Sequence, residues 1–184
     1  MNPKHFAVAG LAFLVASQIL LLQGSEFLAS QRPIDFAHTF MLLGAALLLA
    51  FNFIFPKGII DSIANVLTAL GVVAHIGMCT IDFVLWSYGS DFAGRDLLLS
   101  QLINTPVIWQ PFMVIGPALL YAGLATHSWS FLRSNPLGAI VTLAGSAAIG
   151  IGQMVFHNHL VVLIACIIFS VGLLMLIYVV KSEE

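Results

Sequence analysis

Residues 160–180 read LVVLIACIIFSVGLLMLIYVV, a run without one charged side chain. A helix of about 20 apolar residues crosses a hydrocarbon core of roughly 30 Å. Within that core every backbone N–H and C=O must find its partner inside the protein. A membrane β-strand would show alternating polarity, and this run has none. It predicts a transmembrane helix. Residues 6–23, 36–55, 63–86, 107–126 and 137–156 have the same character. The chain is thus expected to be an all-α integral membrane protein, a bundle of six transmembrane helices forming a single domain over residues 1–184.

Composition excludes the alternatives. Only 8% of residues are charged, against about 25% in a soluble domain, so a solvated surface could not be covered. Six Lys plus Arg against eight Asp plus Glu give a formal charge of −2 without a basic patch, which argues against a nucleic-acid partner. The expected partner is a lipid bilayer, with a homo-oligomer or a larger membrane complex compatible with so narrow a bundle. The first run is longer than the 7–15 apolar residues of a signal peptide, so it is read as an uncleaved first helix.

The breaks between runs carry turn and cap signals. Asp35 is placed to cap the second helix. Pro56-Lys57-Gly58 ends that helix in a tight turn, and Pro106 and Pro136 each follow a polar cap residue. Residues 90–104 mix Phe92, Leu97 and Leu98 with Asp91, Arg95 and Asp96, the pattern of a short interfacial helix between the third and fourth spans. An amino terminus in the cytoplasm puts Lys4, Lys57, Arg133 and Lys181 inside, with Arg32 and Arg95 outside, as the positive-inside rule prefers. Glu183 and Glu184 then fall inside as well. The expected location is a bacterial plasma (inner) membrane with both termini cytoplasmic.

Polar residues inside a span cost about 2.5–3.5 kcal/mol when ionisable, and by default they mark function. By helical rise, His75 and Gln18 lie near mid-membrane, and Asp82, His38, Gln110, Gln23 and Gln153 in the outer third. Glu26, His157 and His159 lie at the outer rim. This distribution predicts a polar funnel opening outward and ending near His75. In the third span His75, Cys79 and Asp82 stand at i, i+4 and i+7, which puts them on one helix face. His38 follows Asp35 by three residues, the spacing at which a carboxylate can orient an imidazole. The fourth span holds Pro111 and Pro117 in its interior, and interrupted helices line many transporter sites. Ala144, Ala148 and Gly152 mark the fifth span for close packing. Cys79 and Cys166 read as packing residues. No duplicated three-helix half is evident: the polar residues of the first, third and fifth spans gather toward the outer end, a regularity that related hairpins and chance explain equally.

Several functions fit. The leading one is a small transporter or channel for protons, ions or a small solute, with His75, Asp82, Gln18, Gln110 and Pro117 along the path. The alternative is a metal- or haem-binding redox protein. There Glu26, His38, Asp82, His157 and His159 would hold zinc or copper, or His38 and His157 would hold haem. An outer-leaflet lipid enzyme using His38 and Asp82, or an accessory subunit of a membrane complex, are further alternatives. No nucleophile elbow, HExxH, CxxC or Gly-rich phosphate loop is present.

Overall fold

The computed structural model describes residues 2–180. Lys181, Glu183 and Glu184, placed inside by the charge argument, lie outside the described residues. Six helices among the described residues are long and apolar enough to cross a membrane: α1 (Pro3–Leu21), α3 (Phe36–Ile54), α4 (Ile59–Ser87), α6 (Pro106–Trp129), α7 (Pro136–Phe156) and α8 (His159–Val179). Two short helices, α2 (Ser25–Ser30) and α5 (Phe92–Ile103), lie between them. The protein is an all-α membrane bundle.

Local chemistry sets the helix ends. The Asp35 carboxylate accepts the His38 N–H at 3.2 Å and caps α3. Asn135 accepts the Gly138 N–H and Pro136 occupies the first turn of α7. Asn158 accepts from both Leu160 N and Val161 N to cap α8. α4 begins earlier than hydropathy alone implies, with Asp61 in its first turn, where the helix dipole favours a carboxylate. Pro111 and Pro117 do not break α6. Instead residues Gln110–Ile115 form a π-helical stretch in which the Gly116 N–H reaches Pro111 O. Each proline lacks the N–H that an α-helical turn would use, and the hydrogen-bond register widens in the stretch before Pro117.

Each membrane-spanning helix packs on its neighbours in sequence, and α1 closes the ring against α8. The densest pairs are α1 with α3, α4 with α6 and α7 with α8, which makes three hairpins arranged around one axis. Leu14, Leu48, Phe51, Leu120, Leu124, Phe169 and Leu173 fill the axis. Val66, Val73, Val107, Ile140 and Ile164 project outward, as helices facing lipid require.

Two of the hairpins meet in the same way. A Cβ on Gly71 would strike the backbone of Leu120, and one on Gly123 the backbone of Thr68. Gly145 stands in that relation to Phe169, and Gly172 to Thr142. In both, Thr-x-x-Gly on the first helix faces a glycine on the second, so α4–α6 and α7–α8 share one packing register. Lipid supplies no hydrophobic force between helices, and close backbone approach supplies dispersion contact instead. Within α7 this approach runs through Thr142 and Gly145. Ala144, marked by its small-residue spacing, is exposed, while Gly152 rests against Val161 and Val162.

The described residues begin and end at one end of the bundle, where the Lys4 ammonium donates to Val180 O. We call this the terminal end, and the other, by helix alternation, the pocket end.

Candidate functional site

The pocket end holds a carboxylate–imidazole–carboxylate arrangement. His38 Nδ1–H donates to Asp35 Oδ2 at 2.6 Å, and its Nε2 lies 3.5 Å from Asp82 Oδ2. Asp35 comes from the cap of α3, His38 from its first turn and Asp82 from the last turns of α4. Capping fixes Asp35: one oxygen takes the backbone N–H of His38 and the other takes its ring. With Nδ1–H committed to Asp35, Nε2 faces Asp82 with either a proton or a lone pair. A lone pair against an ionised carboxylate repels. A proton between His38 and Asp82, on the ring or on the acid, relieves that repulsion.

Around this trio lies a cavity of about 80 Å³, lined by Ser25, Leu28, Ala29, Asp35, His38, Asp82, Leu85, Trp86, Gly89 and Arg95. α5 contributes Arg95, whose charge reaches Asp82 and whose buried Nε has no hydrogen-bond partner among the described residues. The α2 segment closes the side. Trp86 Nε1–H donates to Leu28 O at 3.2 Å, and the Arg32 guanidinium stacks 4.1 Å over the Trp86 ring.

Burial pushes the Asp35 carboxyl up, but the hydrogen bonds and charge of His38 outweigh it and hold the group below the ordinary carboxylate range. A carboxyl that binds its proton less readily when folded adds stability above its unfolded pKa. That stability is lost as pH falls through the lower, folded value. Thermal unfolding in detergent should thus show an acid limb below about pH 4. Asp35→Ala should remove the contribution of Asp35 to that limb and cost about 1 kcal/mol at pH 7 for the lost cap alone. An unchanged melting temperature would mean that the cap and the imidazole contact add nothing.

The other sequence-derived candidates are dispersed. His75 is sealed in the interior, 2% exposed, with its Nδ1–H donating to Gly71 O at 3.0 Å and its ring edge-on to Tyr121. Cys79, fully buried, lies one helical turn closer to Asp82. Gln18 is buried in α1, Pro117 is half-buried in α6 and Gln110 is exposed at the start of α6. Glu26, His157 and His159 are exposed. His157 takes a left-handed conformation, φ 47°, to end α7 before Asn158 starts α8. The Cys79 and Cys166 thiols are free. His38 and His157, the proposed haem pair, stand on α3 and α7, which pack on different neighbours. Among the described residues no group of three or more His, Cys, Asp and Glu side chains is placed to hold a metal ion.

A second polar cluster lies at the terminal end, on residues to which sequence reasoning gave no role. Asp61, 4% exposed, accepts the Ser130 hydroxyl on both oxygens at 3.1 and 3.2 Å. His127, 1% exposed, places Nδ1 3.5 Å from Asp61 Oδ1 and Nε2 3.3 Å from Asn52 Oδ1. A signal for it exists in the sequence. Asp61, Asn65 and Thr68 continue the stripe of His75, Cys79 and Asp82 backwards at the same alternation of four and three residues.

No protein-family model matches this chain, nor does any curated protein or solved structure with which it was compared.

Proposed function

We propose that the protein is a small membrane transporter that takes up a proton at the Asp35–His38–Asp82 site, alone or together with a small solute. The observation that carries this reading is the imidazole held between two carboxylates in a cavity at one end of the bundle. A group that exchanges one proton with an acid 3.5 Å away, in a cavity at the end of an apolar bundle, is what loading a proton from water requires. Arg95 offsets part of the negative charge, so Asp82 can cycle without leaving a bare charge in the membrane. The packed axis below makes this an occluded arrangement, which fits a carrier better than an open channel. With both termini cytoplasmic, as the Lys and Arg distribution favours, the pocket faces outward from the plasma membrane.

The lipid-enzyme reading uses the same residues, because His38 and Asp82 do meet. It is the weaker one: a general base needs its outer nitrogen free for water or a nucleophile, and here Nε2 faces Asp82.

The test is proton flux into liposomes that contain a trapped pH dye. Wild-type protein should conduct well above empty liposomes, and Asp82→Asn should bring flux close to that background. Wild-type liposomes no leakier than empty ones, with a range of solutes supplied, would end the transport reading.

A further inference from the structure

α4 carries a second carboxylate that faces an imidazole, and it lies 21 residues from the first (82 − 61). At 1.5 Å per residue that is about 31 Å, one hydrocarbon thickness. Between the two carboxylates the buried face of α4 presents Asn65, Thr68, His75 and Cys79 at heptad spacing. A straight helix drifts about 20° per heptad against such a stripe. The stripe therefore faces α3 at Asp82 and reaches α6 as well by Asp61. This gives His38 of α3 one end of the line and His127 of α6 the other.

The donor and acceptor geometry at the terminal end constrains where a proton sits. Asn52 Nδ2–H donates to Asn65 O at 3.1 Å, so Asn52 Oδ1 must be the atom turned to His127. Its partner, His127 Nε2, must then carry hydrogen. That leaves Nδ1 facing Asp61 Oδ1 at 3.5 Å, and Ser130 already donates to that carboxylate. A neutral ring beside an ionised carboxylate would set a lone pair against a negative charge in a buried place. The groups that face His127 are few. α4 brings Asp61, α3 brings Asn52 and Phe55, and among the described residues Asp61 is the charged or titratable group that acts on it.

We infer that Asp61 and His127 form a second proton-binding site at the terminal end, where a proton taken up at the Asp35–His38–Asp82 pocket is released. The proton moves between His127 Nδ1 and Asp61 Oδ1, with Ser130 and Asn52 holding the two groups in place. The release role rests on the transport reading. The proton count does not: it rests on the Asn52 hydrogen bonds, which leave the buried His127 Nδ1 turned to Asp61 Oδ1 at 3.5 Å with no hydrogen bond of its own among the described residues.

Two measurements separate these claims. In lipid nanodiscs, nitrogen and carboxyl-carbon NMR of the full chain, assigned with His127→Gln and Asp61→Asn, should find one proton on the pair at pH 7. It will be seen as an imidazolium beside a carboxylate or as a neutral ring beside a protonated acid. A neutral ring beside an ionised carboxylate overturns the site. In liposomes, Asp61→Asn keeps the shape and an acceptor for Ser130 and should lower proton flux at least tenfold. Flux within twofold of wild type overturns the release role. If wild-type liposomes conduct no protons, the transport reading and the release role fall together, and the NMR result still decides the site.

Discussion

Leucine in place of Gly71 is expected to prevent the bundle from assembling, and alanine there should lower its melting temperature by several degrees. The first atom added at Gly71 meets the Leu120 amide nitrogen and Cα and the Leu119 carbonyl carbon. These are backbone atoms, with no rotamer to move into, so the strain is relieved only by separating α4 from α6. Overpacking a core costs about 1–3 kcal/mol when side chains can adjust. Two rigid helices cannot, so Gly71→Ala belongs at the upper end of that range. A protein with about 5–15 kcal/mol of stability has little room for the larger side chain. Gly150 is the control, since a Cβ there meets nothing within 4 Å and alanine is the better helix former. Melting curves in one detergent should put Gly71→Ala well below wild type and Gly150→Ala level with it. Equal curves for all three would mean that α4 and α6 do not meet in this register.

His38→Ala should reduce proton flux by about 10²-fold, the low end of what a positioned acid–base group contributes. The loss has two parts. The group that exchanges a proton with Asp82 disappears. Asp35 and Asp82 are then left facing one cavity with Arg95 as the cation beside them, and their mutual repulsion favours keeping one of them protonated. His38→Lys would restore positive charge but not an imidazole that exchanges protons near neutral pH. It should fold better than the alanine variant and conduct no better. Free imidazole should partly restore flux in His38→Ala, because the removed ring enlarges a cavity that already exists. Flux in His38→Ala within threefold of wild type would remove His38 from the mechanism.

Fold and site were legible to different degrees. The six spans and their turns follow from run length and from single residues such as Asp35, Asn135, Pro136 and Asn158. Their effects act within one turn of helix. The third span also announced its buried face, because His75, Cys79 and Asp82 repeat at helical spacing. The site was only half legible. His38 and Asp82 both stand out in the sequence, but their partnership is one option among several there, and Glu26, His157 and His159 look equally suitable. Asp61 and His127 carry no such mark, because each sits near a span end, where a polar residue is ordinary. The continuation of the α4 stripe through Asn65 and Thr68 was the available sign.

By itself the sequence determined that this chain is a helical membrane protein, how many spans it has, roughly where the breaks between them fall, and which face of α4 is buried. Those properties depend on residues within a few positions of one another and on the length of each apolar run. Only the tertiary structure decided that α3 stands beside α4, so that His38 meets Asp82, and that α6 meets α4 closely enough to set His127 on Asp61. Neighbour choice rests on where two helix surfaces can approach, here at Gly71 and Gly123 against Leu120 and Thr68. Complementarity of that kind belongs to a pair of helices and cannot be read from the periodicity of either one.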